Sequence, residues 1–186
     1  MIKQMISLVV ILTLTGCAGH HAIEKRRVQA RTEVPKMKVA IMETAKGSWT
    51  MKFFPDDAPK TVDNFLHLAG QGFYDGLTFH RVVKSPTPFV IQGGDPKGDG
   101  TGGPGYTIAD EFNPRRHLEG SLAMARTNEP NSAGSQFYIC LAPQPFLDGK
   151  YTVFGQVIEG LENIHKIDQG DKIISVKIEE REIVNR

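Results

Sequence analysis

Two runs, MKVAIMET at 37–44 and SWTMKFF at 48–54, alternate apolar and polar residues on either side of Lys46-Gly47. Side chains on a strand point to opposite faces with a period of two, so this alternation predicts two half-buried strands, and the glycine between them a hairpin. Further strand-like runs follow at 78–83, 89–93, 121–125, 136–141 and 151–158, and a last one reads KIISVKIEE. Nineteen glycines and eleven prolines punctuate the chain, so it turns often. Many short strands leave many unpaired edges unless the sheet closes on itself. The expected fold is therefore mostly β, an antiparallel sheet closed into a barrel. One stretch breaks the period. In PDDAPKTVDNFLHLAGQG, Val62, Phe65, Leu66 and Ala69 recur at helical spacing, Asp57 is placed to cap, Pro59 suits the first turn, and Gly70 and Gly72 end the helix. A second, short helix is expected near 161–167.

A chain of 186 residues accommodates one well-packed domain and is too short for two of ordinary size. Its formal net charge of +1 gives no basis for holding nucleic acid through bulk charge. The first segment stands apart. MIKQMISLVVILTLTGCAGHH carries one lysine, an apolar stretch from Ile6 to Leu14 and then Thr15-Gly16-Cys17. That stretch is shorter than the roughly 20 residues a membrane span needs, and it reads as a secretion signal over 1–16. Leu14-Thr15-Gly16-Cys17 resembles the bacterial lipobox, in which the cysteine is acylated. Cys17 is thus the expected lipidation site, and 17–36, with Lys25, Arg26, Arg27 and Arg31 but no apolar periodicity, the expected tether. Residues 37–186 form the expected folded domain, a monomer held at a membrane of the cell envelope by its lipid.

Several familiar signatures fail. Residues 98–103 match G-x-G-x-x-G literally, but Pro104-Gly105 follow where a dinucleotide site requires a helix. Asp95 begins something like a calcium loop, yet Lys97 stands at a ligand place and Tyr106 where the closing Glu belongs. The six histidines have no paired ligand spacing, and AGSQF lacks the second Gly of a hydrolase elbow. Of the two cysteines, Cys140 sits among apolar neighbours in QFYICLA and reads as a buried, inert thiol.

FHRVV, FVIQGGD, GTGGPGY, SLAMAR, NSAGSQFYI and FLDGKYTVFGQV occur in this order between 79 and 157. Jointly they resemble the cyclophilin family of peptidyl-prolyl cis-trans isomerases, from about Met37 onward. The resemblance implies an eight-stranded antiparallel barrel capped by two α-helices, and rotation about the bond preceding proline without metal or cofactor. Arg81 would be the catalytic residue. Phe89, Val90, Tyr138 and Leu147 would wall a proline pocket, and Gln92 with Arg81 would hold substrate carbonyls. The main chain at Ala125-Arg126 would pair with an extended peptide; Gln136 would lie on the groove floor, and Phe146 and Tyr151 at its rim. The implied partners are proline-containing polypeptides. Departures from the family pattern are the longer link VVKSPTP between Arg81 and Phe89, and Arg126, Tyr138, Phe146 and Tyr151 where Asn, Phe, Trp and His are common. The link leaves open an alternative: a proline-peptide-binding or chaperone module with little turnover.

The chemistry accounts for an arginine inside a strand-forming run. Amide rotation faces a barrier of about 18–20 kcal/mol because the planar form is resonance-stabilised. No covalent bond has to break; a donor aimed at the prolyl nitrogen favours the twisted form, and the permanently charged guanidinium suits that task. A hundred-thousand-fold acceleration needs about 7 kcal/mol. One charged hydrogen bond supplies roughly 1.5–3 kcal/mol, or about 4 when pre-aimed in a dry site. Desolvation and a grip on both sides of the rotating bond must supply the rest.

Overall fold

A computed structural model describes residues 36–182, within which 37–181 form one compact unit. The signal, Cys17 and nearly all of the tether lie outside the described residues. The strands are β1 (Lys36–Thr44), β2 (Gly47–Phe53), β3 (Arg81–Val82), β4 (Val90–Gly93), β5 (Ser121–Met124), β6 (Phe137–Cys140), β7 (Val153–Glu159) and β8 (Ile173–Glu182). They form one sheet in the order β3-β4-β6-β5-β7-β2-β1-β8. β1 and β2 make the expected hairpin, closed by the Thr44–Gly47 pair. There the Thr44 hydroxyl accepts from Lys46 N and donates to Gly47 O.

The sheet is a curled half-barrel, which corrects the expected closed one. Its edge strands, β3 and β8, make no ladder with each other. The segments leading into them meet instead, through an isolated bridge between Thr78 and Lys172. Phe79 N donates to Asp171 O at 2.9 Å, Gly170 N to Phe79 O at 3.0 Å and Ile173 N to Leu77 O at 2.8 Å. β3 is only two residues long, so turn backbone does the covering that a full strand would do elsewhere.

Helix α1 (Pro59–Gly70) buries Val62, Phe65, Leu68 and Ala69. Phe65 lies at the centre of an aromatic cluster, with ring centroids 5.5 Å from Phe53, 4.9 Å from Tyr74, 5.6 Å from Phe137 and 5.4 Å from Phe154. Burying one such ring is worth about 1.5–3 kcal/mol before the gain from edge-to-face geometry. The expected cap is corrected. The helix starts at Ala58 with no side-chain cap of its own, and Asp57 instead takes a 2.6 Å hydrogen bond from Arg115 Nε. Glu111, far along the chain, supplies the missing acceptor: Lys60 N at 3.1 Å, Thr61 N at 2.8 Å and the Thr61 hydroxyl at 2.7 Å all donate to its carboxylate. A carboxylate there satisfies orphan amides and faces the positive end of the helix dipole. Helix α2 (Leu161–Ile164) is shorter than expected; it buries Ile164 and is tied to β2 by Asn163 Nδ2, which donates to Ser48 O. A 3-10 turn, Pro145–Leu147, completes the helical parts.

The central strands are buried on both faces, which is why FVIQG, SLAM and QFYIC read as apolar runs rather than alternations. Ile91, Leu122, Phe137 and Ile139 enter the main core, while Val90, Ala123, Tyr138 and Cys140 form a second cluster with Leu147 and Val153. That second face carries the site.

Candidate active site

Strand register builds the site. Arg81 pairs with Gln92, Gln92 with Tyr138, Tyr138 with Ala123 and Ala123 with Val153. Paired residues share a face, so one row across five strands runs from a cation, through an amide and a phenol, to small apolar groups. Gly94, just after β4, has φ +85°, and a Cβ there would run into the Ser135 carbonyl. Glycine therefore lets the ends of β4 and β6 lie close together.

The long link between Arg81 and Phe89 does not carry Phe89 away. Val83 N donates to Val90 O and Phe89 N to Val83 O, so the hairpin continues past β3 before its exposed tip. Leu141 N then donates to Phe89 O at 2.8 Å, and Gln144 Nε2 to Pro88 O at 3.0 Å. The Arg81 guanidinium carbon lies 5.3 Å from the centre of the Phe89 ring, which stacks on Phe146 at 5.8 Å.

All the catalytic and substrate-binding residues read from the sequence except Gln136 line one cavity of about 270 Å³: Arg81, Phe89, Val90, Gln92 and Ala125 together with Arg126, Tyr138, Phe146, Leu147 and Tyr151. Gln136 lines the neighbouring, wider groove of about 800 Å³, whose walls also include Gln92, Ala125 and Arg126. Gln136 is nonetheless wired to the cavity. Arg81 Nη1 donates to Gln92 Oε1 at 3.2 Å, Gln92 Nε2 to Gln136 Oε1 at 3.1 Å, and Gln136 Nε2 to both Gly100 O and Gly102 O at 2.9 Å. Every amide in this relay has a defined orientation, and hydrogen bonds aligned in this way polarise one another. The glycine-rich loop, read from the sequence as part of the family pattern but given no role there, is the fixed end of the chain.

Other side chains are less free than expected. Arg126 donates from Nε and Nη2 to Lys150 O and from Nη1 to Thr127 O and Glu129 O, between the rings of Phe112 and Tyr151. Its side-chain donors are committed to the fold, and the neighbouring Ala125 N donates to Gln136 O at 3.0 Å. The Tyr138 hydroxyl is held 2.9 Å from Nε2 of buried His117. Burial pushes the Tyr138 phenol above its ordinary pKa and the Cys140 thiol up to about 12, in keeping with an inert cysteine. Burial is also the largest influence on His80, holding its imidazole below the usual value and therefore neutral near pH 7. His117 had no signal in the sequence, and Asp148, though inside the FLDGKYTVFGQV stretch, was given no role; RRHLEG and FLDGK lie far apart and match no ligand or triad spacing.

Residues 39–184 match the family described as cyclophilin type peptidyl-prolyl cis-trans isomerase. A peptidyl-prolyl cis-trans isomerase of Synechococcus elongatus is 53% identical over 144 residues, spanning 76% of this chain and 97% of that protein. A crystal structure of a Cryptosporidium parvum cyclophilin-type isomerase superposes with TM-score 0.71 at 32% identity, covering 78% of this chain and 98% of the other. The same parasite enzyme in the presence of the dipeptide Ala-Pro gives TM-score 0.65 at 34% identity, over 79% and 99% of the two chains. With the half-barrel, the apolar cavity and the arginine at its mouth already in place, these likenesses settle the family: the chain is a cyclophilin-type peptidyl-prolyl cis-trans isomerase.

Proposed function

We propose that the X-Pro bond is turned in the cavity between Arg81 and Leu147, on polypeptides exported to the cell envelope, by a monomer tethered through lipid on Cys17. The observation that carries the catalytic part is the placement of Arg81. Its guanidinium stands over Phe89 at the mouth of an apolar slot, with Gln92 and Gln136 fixing its direction. A cavity of about 270 Å³ falls below the range of drug-sized sites, roughly 300–1,000 Å³, and suits one ring rather than a longer segment. The proline ring would sit against Phe89, Val90, Tyr138 and Leu147, beneath the rim of Phe146 and Tyr151. Dry walls disfavour the more dipolar planar amide. Arg81 donates to the prolyl nitrogen as its lone pair returns, while Gln92 and the Ala125-Arg126 main chain hold the flanking peptide. The Ala-Pro dipeptide used with the parasite relative is the minimal ligand of this kind.

An isomerisation assay on an X-Pro peptide, comparing wild type with Arg81→Ala, tests the catalytic assignment. Turnover lost with peptide binding retained supports it; equal turnover in the two proteins refutes it. The tether rests on Leu14-Thr15-Gly16-Cys17 alone. Mass spectrometry of the mature amino end is expected to find a lipidated Cys17, and an unmodified cysteine there would rule the anchor out.

A further inference from the structure

Behind the cavity wall lies a group that the mechanism above does not use. His117 is 1% exposed, and it makes four hydrogen bonds to two structures that flank the proline-facing slot. Its backbone O accepts from Gln144 N at 2.8 Å, at the entrance to the 3-10 turn. Its backbone N and ring Nδ1 lie 2.8 and 2.9 Å from Asp148 Oδ1, at the exit of the same turn. Between these anchors stand Phe146 and Leu147. Its ring Nε2 meets the Tyr138 hydroxyl at 2.9 Å, with the two rings nearly parallel, 13° apart. Hydrogen bonds from the His117 backbone and then from its ring hold the Asp148 carboxyl below the usual carboxylate range. An ionised carboxylate only accepts, so Nδ1 donates to Asp148, which leaves Nε2 to pair with the Tyr138 phenol.

We propose that His117 is a positioning residue of the isomerase, which fixes the gap between Tyr138 on β6 and Leu147 on the 3-10 turn so that the slot stays open to one proline ring. The assignment rests on the reading of this cavity as the substrate site. The geometry supports it by economy of contacts: one side chain and its own peptide groups fasten both ends of the turn and the opposite wall. Loss of the phenol–imidazole bond leaves a buried ring nitrogen unpaired, a cost that collapse of the slot relieves. The chemistry of turnover stays with Arg81, Gln92 and Gln136, none of which touches His117 in the hydrogen bonds described. The effect therefore falls on substrate capture.

The test is a double-variant cycle on KM and kcat for an X-Pro peptide. Tyr138→Phe removes the hydroxyl and leaves the ring. His117→Asn keeps a donor near the Nδ1 position for Asp148 and cannot reach Tyr138. Each is expected to raise KM about fivefold with kcat within twofold of wild type, and the double variant to behave like either single one, because both delete the same bond. An additive rise in KM, or a fall in kcat at unchanged KM, overturns the proposal. Should His117→Asn fail to fold, Tyr138→Phe and nitrogen NMR of ring-labelled histidine in the wild type carry the test. A protonated Nδ1 with Nε2 as acceptor, released in Tyr138→Phe, supports the clamp; an unprotonated Nδ1 overturns it. Arg81→Ala, run beside these, separates the two failures. If Arg81→Ala abolishes turnover while the clamp variants leave KM alone, only the clamp falls; if Arg81→Ala turns over normally, the site reading falls first.

Discussion

Two arginines border the same cavity and have opposite fates. Arg81 is exposed and, among the described residues, donates only to Gln92 Oε1; the rest of its fork is available above the Phe89 ring. The Arg126 side chain is 18% exposed, and three carbonyls on two loops consume its donors while two aromatic rings cover its faces. Both carry full charge and both line the slot. The difference lies in hydrogen-bond bookkeeping: a guanidinium serves a substrate only with the donors its own fold leaves over. Arg81 is thus equipped for chemistry, and Arg126 for holding the rim in shape.

The largest expected effect separates them by activity. Arg81→Ala should lower kcat/KM for an X-Pro peptide by about a hundred- to a thousandfold, the loss typical of one pre-aimed donor in a water-excluded site. Arg126→Ala should change it by less than about tenfold, and similar losses in a peptide assay would break the comparison. The next effect separates them by stability. Arg126→Ala should cost about 1 kcal/mol in denaturant unfolding, as expected for hydrogen bonds whose exposed carbonyls can turn to water once the guanidinium is gone. Arg81→Ala should cost far less. Glu111→Ala asks whether a borrowed cap behaves like a local one; it should destabilise the protein by about 1 kcal/mol, measured by thermal or urea unfolding, with activity retained. The smallest effect concerns the hairpin tip beside Arg81. Lys84 and Lys46 both donate to Asp168, at 2.8 and 3.4 Å, and hold its pKa below the ordinary value. A group whose folded pKa is lowered stabilises the fold above its unfolded pKa and loses that contribution as pH falls through the folded value. Asp168→Asn should therefore matter most above the ordinary carboxylate pKa, progressively less as pH falls to the lowered folded value, and less with added salt, because the ion pairs are exposed. A melting temperature that drops equally at pH 2 and pH 7 would count against this pairing.

Parts of this were legible in residue order and parts were not. The β1–β2 hairpin was, because alternation and a reversal at Lys46-Gly47 are local properties. So was α1, because Val62, Phe65 and Ala69 mark one helical face. Its cap was not: Asp57 was the nearest candidate, but the amides were met by Glu111 from another loop. The closed barrel was read one step too far, since pattern reports strands and not whether the last one pairs with the first. Arg81, Phe89, Gln92 and their companions could be named because their motifs arrive together. That the Arg126 donors were spent, and that Tyr138 leaned on His117, could not be read from any motif.

Residue order by itself determined the faces: which side chains alternate, where glycine permits a turn, and which types stand ready to bind a proline. The tertiary structure alone decided how those groups are employed. Hydrogen-bond donors and acceptors are finite, and their partners here lie 11 residues away for Arg81, 31 for His117 and 50 for Glu111. The first becomes a contact when the β3–β4 hairpin closes and the other two only when distant segments pack together, and that is when a charge is either committed to the fold or left for the substrate.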